Sequence, residues 1–211
     1  MSGRPAPVDT VVLATHNLKK LAELRRLVAG SASGLRVLGL DDVPAYPEPV
    51  ETEWTFEGNA LLKARACVAA TGLPALADDS GLAVDALNGM PGVRSARWAG
   101  PGASDADNLA LLLRQTDDLP DDRRDARFVC AMAFVRPDGA EHVVVCAMPG
   151  RLVRDPRGTN GFGYDPAFVA EGRSKTNAEL SPDEKDAISH RGQAVRAMVE
   201  HLRGLPGGSA A

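Results

Sequence analysis

Two acidic residues, Asp78 and Asp79, directly follow a short apolar run from Pro74 to Ala77. Adjacent carboxylates at the end of a buried strand are costly unless a cation or strong hydrogen-bond donors compensate their charge. Mg²⁺ binds one or two protein carboxylates together with phosphate oxygens and water, and Glu51, in a predicted loop, is a second candidate ligand. A turn in which either aspartate accepts hydrogen bonds from nearby backbone is an equally good interpretation.

The segment from Thr15 to Lys20 has the residue types of a phosphate site. A strand is predicted to end and a helix to begin there, so backbone N–H groups and the positive end of the helix dipole would face outward. Asn17 adds an amide donor, and Lys20, one helical turn on, adds an ammonium. On this segment alone, an ordinary helix cap with Lys19 and Lys20 in solvent is the simpler interpretation.

The helix predicted from Thr55 to Ala70 places Asn59 and Lys63 on one face, because residues at i and i+4 are neighbours on a helix. A lysine near a helix start is usually exposed to solvent. This segment therefore indicates a function only in combination with Glu51 and the Asp78-Asp79 pair.

A glycine-rich segment runs from Gly158 to Pro166 and contains Phe162. Glycines let the backbone approach a ligand closely, and an aromatic face can stack on a planar base. A glycine-rich turn is often only a turn, and a histidine at a helix start is often only a cap. The residues that could contact the polar edges of a bound base are Asp165, Lys185, His190 and Arg191.

The elements that must position these residues follow from apolar patterning and from capping and turn signals. Ser104 with Asp107, and Ser181 with Pro182 and Glu184, are typical of helix starts. The turn Pro137-Asp138-Gly139 predicts an antiparallel hairpin. Together they predict a mixed α/β fold, with strands at 11–14, 36–40, 74–77, 128–135 and 142–148. Helices are predicted at 18–29 and 55–70, after Ser104 through 109–113, and after Ser181 with continuation through 196–202.

The chain has 211 residues, a formal net charge of −4 and 44% hydrophobic residues, which favours one folded domain and excludes global disorder. We expect an N-terminal extension at 1–10, a single domain at 11–204 and a flexible tail at 205–211. With five Phe, two Tyr and two Trp and no basic stripe, a nucleic-acid polymer is not an expected partner. No apolar run is long enough to span a bilayer, so no membrane partner is expected.

The N-terminal residues have no apolar core of a secretory signal, so we expect a cytoplasmic protein. The three cysteines, Cys67, Cys130 and Cys146, have no C-x-x-C spacing and are interpreted as buried apolar residues. No P-loop, dinucleotide-binding, zinc-protease or esterase motif is present.

The combination of motifs resembles the inosine triphosphate pyrophosphatase family, also called Ham1-like, along nearly the whole chain. The blocks that carry the resemblance, in order, are Thr15-x-Asn17-x-x-Lys20, Thr55-Phe56-x-x-Asn59-Ala60-x-x-Lys63-Ala64, Ala77-Asp78-Asp79-Ser80-Gly81-Leu82, Gly92-x-x-Ser95-Ala96-Arg97, Gly161-Phe162-Gly163-Tyr164-Asp165-Pro166 and Ser189-His190-Arg191-Gly192.

The resemblance implies an α/β fold in which an elongated mixed β-sheet with flanking helices forms two lobes around a central nucleotide-binding cleft. It also implies a homodimer and Mg²⁺-dependent hydrolysis of dITP, ITP and XTP to the monophosphate and pyrophosphate. By the same resemblance, Glu51 and Asp79 bind the metal, and Asp79 is the catalytic residue that orients or deprotonates water. The residues implied to bind substrate are Thr15, His16, Asn17, Leu18, Lys19, Lys20, Lys63, Ser80, Phe162, Gly163, Tyr164, Asp165, Lys185, His190 and Arg191.

Two positions depart from the family pattern. His16 stands where the family usually has a small residue, and Gly58 stands where many members have Glu. Two other functions stay open: a pyrophosphatase acting on modified pyrimidine triphosphates, and a nucleotide-sensing module without turnover.

Overall fold

The computed structural model describes residues 9–30 and 35–203, and within the first helix it does not describe the side chains of Lys19, Glu23 and Leu27. The predicted tail at 205–211 and all but the last two residues of the predicted extension at 1–10 lie outside the described residues. No helix in the described ranges is long and apolar enough to cross a bilayer.

Six strands and five α-helices are joined by short 3₁₀ turns in the described part of the chain. The strands are β1 (Thr10–Leu13), β2 (Arg36–Leu38), β3 (Ala75–Val84), β4 (Asp125–Val135), β5 (Glu141–Leu152) and β6 (Phe168–Ala170). The helices are α1 (Leu18–Gly30), α2 (Phe56–Thr71), α3 (Asp105–Gln115), α4 (Pro182–Ile188) and α5 (His190–Arg203).

The strands form one sheet in the order β2-β1-β3-β4-β5-β6. β1 is parallel to both of its neighbours, with Val12 opposite Leu38 on β2 and Leu13 opposite Leu76 on β3. β5 and β6 are antiparallel. The sheet is therefore mixed, which confirms the predicted α/β class.

The chain forms two compact units. Of the described residues, unit 1 contains those up to Asp79, Ala131–Val145 and those from Ala194 to Arg203, and unit 2 contains Ser80–Cys130 and Cys146–Gln193. The core of unit 1 is built from small residues, among them Ala60, Ala64 and Ala77, which let α2 pack closely on the sheet. The core of unit 2 is larger in side-chain volume and includes Leu112 and Phe168.

The predicted helix starts are confirmed, but the helix expected to continue from Ser181 through 196–202 is interrupted at Ser189, which has an extended backbone, so α4 and α5 are separate helices. Thr55 Oγ1 accepts a hydrogen bond from the Gly58 N–H at the start of α2, and Gly72 ends the helix at φ 69°, a conformation that favours glycine. Ser104 and Ser181 cap α3 and α4 in the expected way.

One strand prediction is wrong. The strand expected at 74–77 continues to Val84, so Asp78 and Asp79 lie inside β3 rather than at a strand end. The apolar run alone predicted too short a strand, because the groups that compensate these two carboxylates belong to other elements of the fold. β2 is shorter than expected because a 3₁₀ turn begins at Leu40, and the three-residue strand β6 was not predicted.

Candidate active site

A cluster of carboxylates and ammonium groups lies in unit 1 around Asp78 and Asp79 of β3. Lys20 Nζ, from α1, lies 2.8 Å from Asp78 Oδ2. Lys63 Nζ, from α2, lies 2.9 Å from Glu51 Oε1 and 3.6 Å from Asp79 Oδ1. One ammonium group therefore contacts two acids that are far apart in the sequence, and the structure brings Glu51, Lys63 and Asp79 together.

Asn59 connects Asp79 to the backbone of the loop before α2 through hydrogen bonds. Its side chain is fully buried, and its Nδ2 donates to Asp79 Oδ2 at 3.1 Å. Its Oδ1 accepts from the backbone N–H of Glu53 at 3.0 Å. Asn59 thus holds the Asp79 carboxylate and the loop that carries Glu51. Sequence reasoning gave Asn59 no role of its own, although its i, i+4 spacing with Lys63 was the available signal.

The charges of this cluster are strongly coupled. Burial raises the pKa of Asp79 above its ordinary value, and the nearby Glu51 carboxylate adds to that rise, while Lys63, Asn59 and Lys20 oppose it. Burial acts to lower the pKa of Lys63, but the carboxylates of Asp79, Asp78 and Glu51 outweigh it and raise that pKa. Lys63 therefore stays an ammonium, and Asp79 accepts a proton more readily than an exposed aspartate does.

The phosphate-site candidates lie at the start of α1. Asn17 Oδ1 accepts a hydrogen bond from the Lys20 N–H at 3.3 Å, and Thr15 Oγ1 accepts one from the Asn17 N–H at 3.2 Å. Both residues therefore shape the turn that leads into the helix. The His16 side chain is exposed, with Nε2 3.7 Å from Glu48 Oε1, and Leu18 is exposed as well. The predicted contribution of Lys19 concerns a side chain outside the described residues.

Gly58, one of the two departures, has a local structural reason. A Cβ atom at this position would lie 2.7 Å from Glu53 Cβ and 2.9 Å from Glu53 Cγ. Such contacts are too short for real side chains. Glycine therefore leaves room for Glu53 against the first turn of α2.

A cavity of about 100 Å³ lies within unit 2. The predicted substrate-binding residues of this unit all line it, together with five further residues of the same unit. The lining residues are Ser80, Gly81, Ser95, Ala96, Asp105, Phe128, Phe162, Gly163, Tyr164, Asp165, Lys185, His190 and Arg191.

Asp165 organises one wall of the cavity. Its side chain is 2% exposed, and its Oδ2 accepts hydrogen bonds from the Phe162 N–H at 2.9 Å and from Lys185 Nζ at 2.5 Å. Asn177 Nδ2 donates to its Oδ1 at 3.2 Å. A Cβ at Gly161, where φ is 76°, would collide with this carboxylate. Asp165 thus fixes the glycine-rich loop and the Lys185 side chain at the cavity.

Cations and aromatic rings line the rest of the cavity. Lys185 Nζ lies 5.0 Å and Arg191 Cζ 5.5 Å from the centre of the Phe162 ring, distances at which cation–π attraction operates. Arg191 Nη2 donates to Ser80 Oγ at 2.9 Å. The His190 ring stacks on Phe128 with centroids 5.0 Å apart. The cavity therefore offers hydrogen-bond donors beside an aromatic face.

Sequence reasoning missed residues whose hydrogen bonds hold the glycine-rich loop in place at the cavity. Asp105 Oδ2 accepts a hydrogen bond from the Gly163 N–H at 2.9 Å, and the Ser95 carbonyl accepts one from Tyr164 Oη at 2.8 Å. Burial, with the Asp105 charge adding to it, raises the pKa of Tyr164. Ser95 stands in a block quoted for the resemblance, but Asp105 and Phe128 carried no signal in the sequence.

Comparison with known proteins identifies the family. A sequence model of the Ham1 family matches residues 11–201. A dITP/XTP pyrophosphatase of Cutibacterium acnes is 60% identical, covering 93% of this chain and 100% of that protein. A crystal structure of a nucleoside-triphosphatase (dITP/XTP pyrophosphatase) of Mycobacterium abscessus has a TM-score of 0.76 at 56% identity, covering 90% of this chain and 98% of that one. A HAM1 protein of Coxiella burnetii has a TM-score of 0.84 at 42% identity, covering 92% and 98%. This chain belongs to the Ham1 family.

Proposed function

We propose that this protein hydrolyses the noncanonical purine nucleoside triphosphates dITP, ITP and XTP to the monophosphate and pyrophosphate, and so removes them from the nucleotide pool. The names of relatives that are 55–60% identical support this activity. The structural observation that best supports this proposal is the contact of Lys63 with both Glu51 and Asp79. Ser80 directly follows Asp79 in β3, and its Oγ accepts a hydrogen bond from Arg191 Nη2 at the cavity of unit 2.

The residues of unit 1 are proposed to bind the triphosphate. Thr15 and Asn17 shape the first turn of α1, and the positive end of the helix dipole at this turn would attract anionic oxygens. Lys20 and Lys63 add ammonium groups that neutralise charge developing on the phosphates. In the structure these lysines contact the carboxylates of Asp78, Glu51 and Asp79.

Glu51 and Asp79 are the proposed ligands of Mg²⁺. Both are hard oxygen donors, and the Glu51 charge raises the Asp79 pKa, as expected for two nearby carboxylates of like charge. Two carboxylates suffice, because Mg²⁺ takes only one or two of them beside phosphate oxygens and water. When bound, the ion would stabilise negative charge on the phosphate oxygens.

Asp79 is proposed to orient the attacking water and accept its proton. Asn59 fixes the Asp79 Oδ2 atom at 3.1 Å, and the raised pKa makes this carboxylate a better base than an exposed aspartate. The water oxygen then bonds to the α-phosphorus as the bond from that phosphorus to the bridging oxygen of the β-phosphate breaks, and pyrophosphate leaves with that oxygen. Positioning and charge neutralisation by Lys20, Lys63 and Asn59 supply most of the rate acceleration.

Selection of the base is assigned to the cavity of unit 2. Phe162 offers the stacking face, and Lys185, His190 and Arg191 offer donors to the 6-keto oxygen of a hypoxanthine or xanthine ring. Adenine has an amino group at that position and would leave buried donors unpaired, which is costly. The protein is therefore expected to prefer dITP to dATP.

We further propose a homodimer in the cytoplasm, as the family resemblance implies. Sedimentation equilibrium of the purified full chain tests the dimer, and cell fractionation tests the compartment. A monomer at micromolar concentration, or recovery outside the cytoplasmic fraction, would contradict these two parts of the proposal.

A panel of triphosphates assayed for pyrophosphate release tests the activity. We expect kcat/KM for dITP and XTP to exceed that for dATP and dTTP by about tenfold or more, the effect of an unpaired buried donor. Equal rates on dITP and dTTP would contradict the purine assignment. Binding without product would indicate the nucleotide-sensing alternative instead.

A further inference from the structure

Two of the three cysteines face each other across the β4–β5 hairpin. The Arg136 N–H donates to the Ala140 carbonyl at 2.9 Å beside the turn, and the Leu152 N–H donates to the Arg124 carbonyl at 2.9 Å at the far end. The two bonds are separated by equal numbers of residues on the two strands, so the ladder contains no net insertion. Cys130 is as far along β4 from Arg136 as Cys146 is along β5 from Ala140. The two thiols therefore project from directly opposed positions on one face of the sheet.

This register agrees with the packing of unit 2. Residues two positions away on the same face are Phe128 on β4 and Met148 on β5, and both belong to the same core cluster. Cys130 is fully buried, whereas Cys146 is partly exposed. All three cysteines lie in described residues, and none of them is part of a disulfide in the structure.

We propose that Cys130 and Cys146 form a reversible, redox-sensitive disulfide. Directly opposed residues of a hydrogen-bonded antiparallel pair have Cα atoms about 5.5 Å apart, within the range that a disulfide spans. Their Cβ atoms are typically about 1 Å farther apart than a relaxed disulfide requires. Closure therefore draws the strands together locally, and such strained bonds are the ones that reductants open easily.

The reaction balances with a peroxide as oxidant. The partly exposed Cys146 sulfur attacks the peroxide, the O–O bond breaks, and a sulfenic acid and one water result. The Cys130 sulfur then attacks the sulfenic sulfur, the S–O bond breaks, and a second water leaves as the S–S bond forms. Two thiols are oxidised by two electrons, and hydrogen peroxide is reduced to two waters. A dithiol reductant reverses the product to two thiols.

The position of the pair gives the disulfide a structural consequence. Phe128 is two residues from Cys130 on β4 and stacks on His190 at the cavity. Drawing β4 toward β5 at Cys130 is therefore expected to shift Phe128 and His190. This consequence, unlike the disulfide itself, rests on the proposed function, because its readout is the KM for dITP.

Peroxide treatment of the folded full chain, followed by thiol counting after denaturation, tests the disulfide. We expect two of the three thiols to disappear and dithiothreitol to restore them. Trypsin does not cleave between Arg136 and Pro137, so both cysteines stay on the peptide 128–151, which should lose the mass of two hydrogen atoms. Stable oxygen adducts on Cys146, covalent links between chains, or a bond to Cys67 would overturn the proposal.

Two variants sharpen the test. Cys146→Ser should abolish the reversible thiol loss, whereas Cys67→Ala, the matched control, should keep it. The peptide mass of the wild-type chain decides the matter if either variant fails to fold. In wild type, KM for dITP should rise severalfold on oxidation and recover with dithiothreitol. A closed disulfide with unchanged KM would refute the coupling to Phe128, while absence of turnover in the reduced protein would refute only the proposed function.

Discussion

Replacement of Asp79 by Asn separates the catalytic role of this carboxylate from its structural role. Asp79→Asn removes one negative charge while keeping the side-chain size and an oxygen that can accept the Asn59 Nδ2 hydrogen bond. A lost general base costs about 10²–10⁴ in rate, and weakened metal binding adds to that loss. We therefore expect kcat for dITP to fall by about 10³ or more.

The same substitution is expected to leave stability unchanged or higher. Burial raises the pKa of Asp79 in the folded protein, so the folded state holds this proton more tightly than the unfolded state does. Wild type should therefore gain stability as pH falls through the folded-state pKa of Asp79, and the variant should lack that gain. The variant loses the 3.6 Å contact with Lys63, but Lys63 keeps the shorter contact of 2.9 Å with Glu51. The net change at pH 7 should lie within about 1 kcal/mol, the size of one ordinary hydrogen bond.

Pyrophosphate release and thermal unfolding, measured on one preparation from about pH 4, near the ordinary pKa of an aspartate, to about pH 8, report both effects. Asp118→Asn, which changes an exposed acid of the chain, is the matched control and should alter neither kcat nor Tm. Wild-type turnover by Asp79→Asn would refute the catalytic assignment. A large fall in Tm would instead refute the inference that the charged form of Asp79 is disfavoured by burial.

Three further predictions follow from other parts of the structure. Lys185→Met should reduce the dITP/dATP ratio of kcat/KM by about tenfold. It should also destabilise the protein by about 3–5 kcal/mol, because it leaves the buried Asp165 carboxylate without its cation. Adding Asp165→Asn to this variant should restore Tm but not the dITP/dATP ratio. Arg124→Leu should lower the free energy of unfolding in urea by about 3 kcal/mol, because the buried guanidinium donates to the carbonyls of Thr116, Leu152 and Val153. Burial, with the His142 charge adding to it, lowers the pKa of His201. Wild type should therefore lose stability as pH falls from about 7 to 5. Over that range the Tm of His201→Gln should fall less than that of wild type, whereas the Tm of the exposed control His16→Gln should fall as much.

Helix starts and ends could be predicted from the sequence because their determinants are local. Thr55, Ser104 and Ser181 each bond to a backbone N–H three residues on, so a short window contains the whole interaction. The spacing of Asn59 and Lys63 on α2 is local in the same sense. Such features need no knowledge of the sheet.

The extent of β3 could not be predicted because its stability depends on distant partners. Asp78 and Asp79 are tolerated inside a strand because lysines of two helices contact them: Lys20 of α1 contacts Asp78, and Lys63 of α2 contacts Asp79. The same holds for the cavity, where Asp105 supports Gly163 across the chain. A sequence window shows the charges but not the groups that compensate them.

Product identification after incubation of the protein with dITP, with and without Mg²⁺, tests the central claim most directly. We predict dIMP and pyrophosphate in equal amounts when Mg²⁺ is present and almost no turnover after its chelation. Formation of dIDP and phosphate, or undiminished turnover in the chelated sample, would contradict the assignment of Glu51 and Asp79 as a metal site that serves cleavage between the α- and β-phosphates.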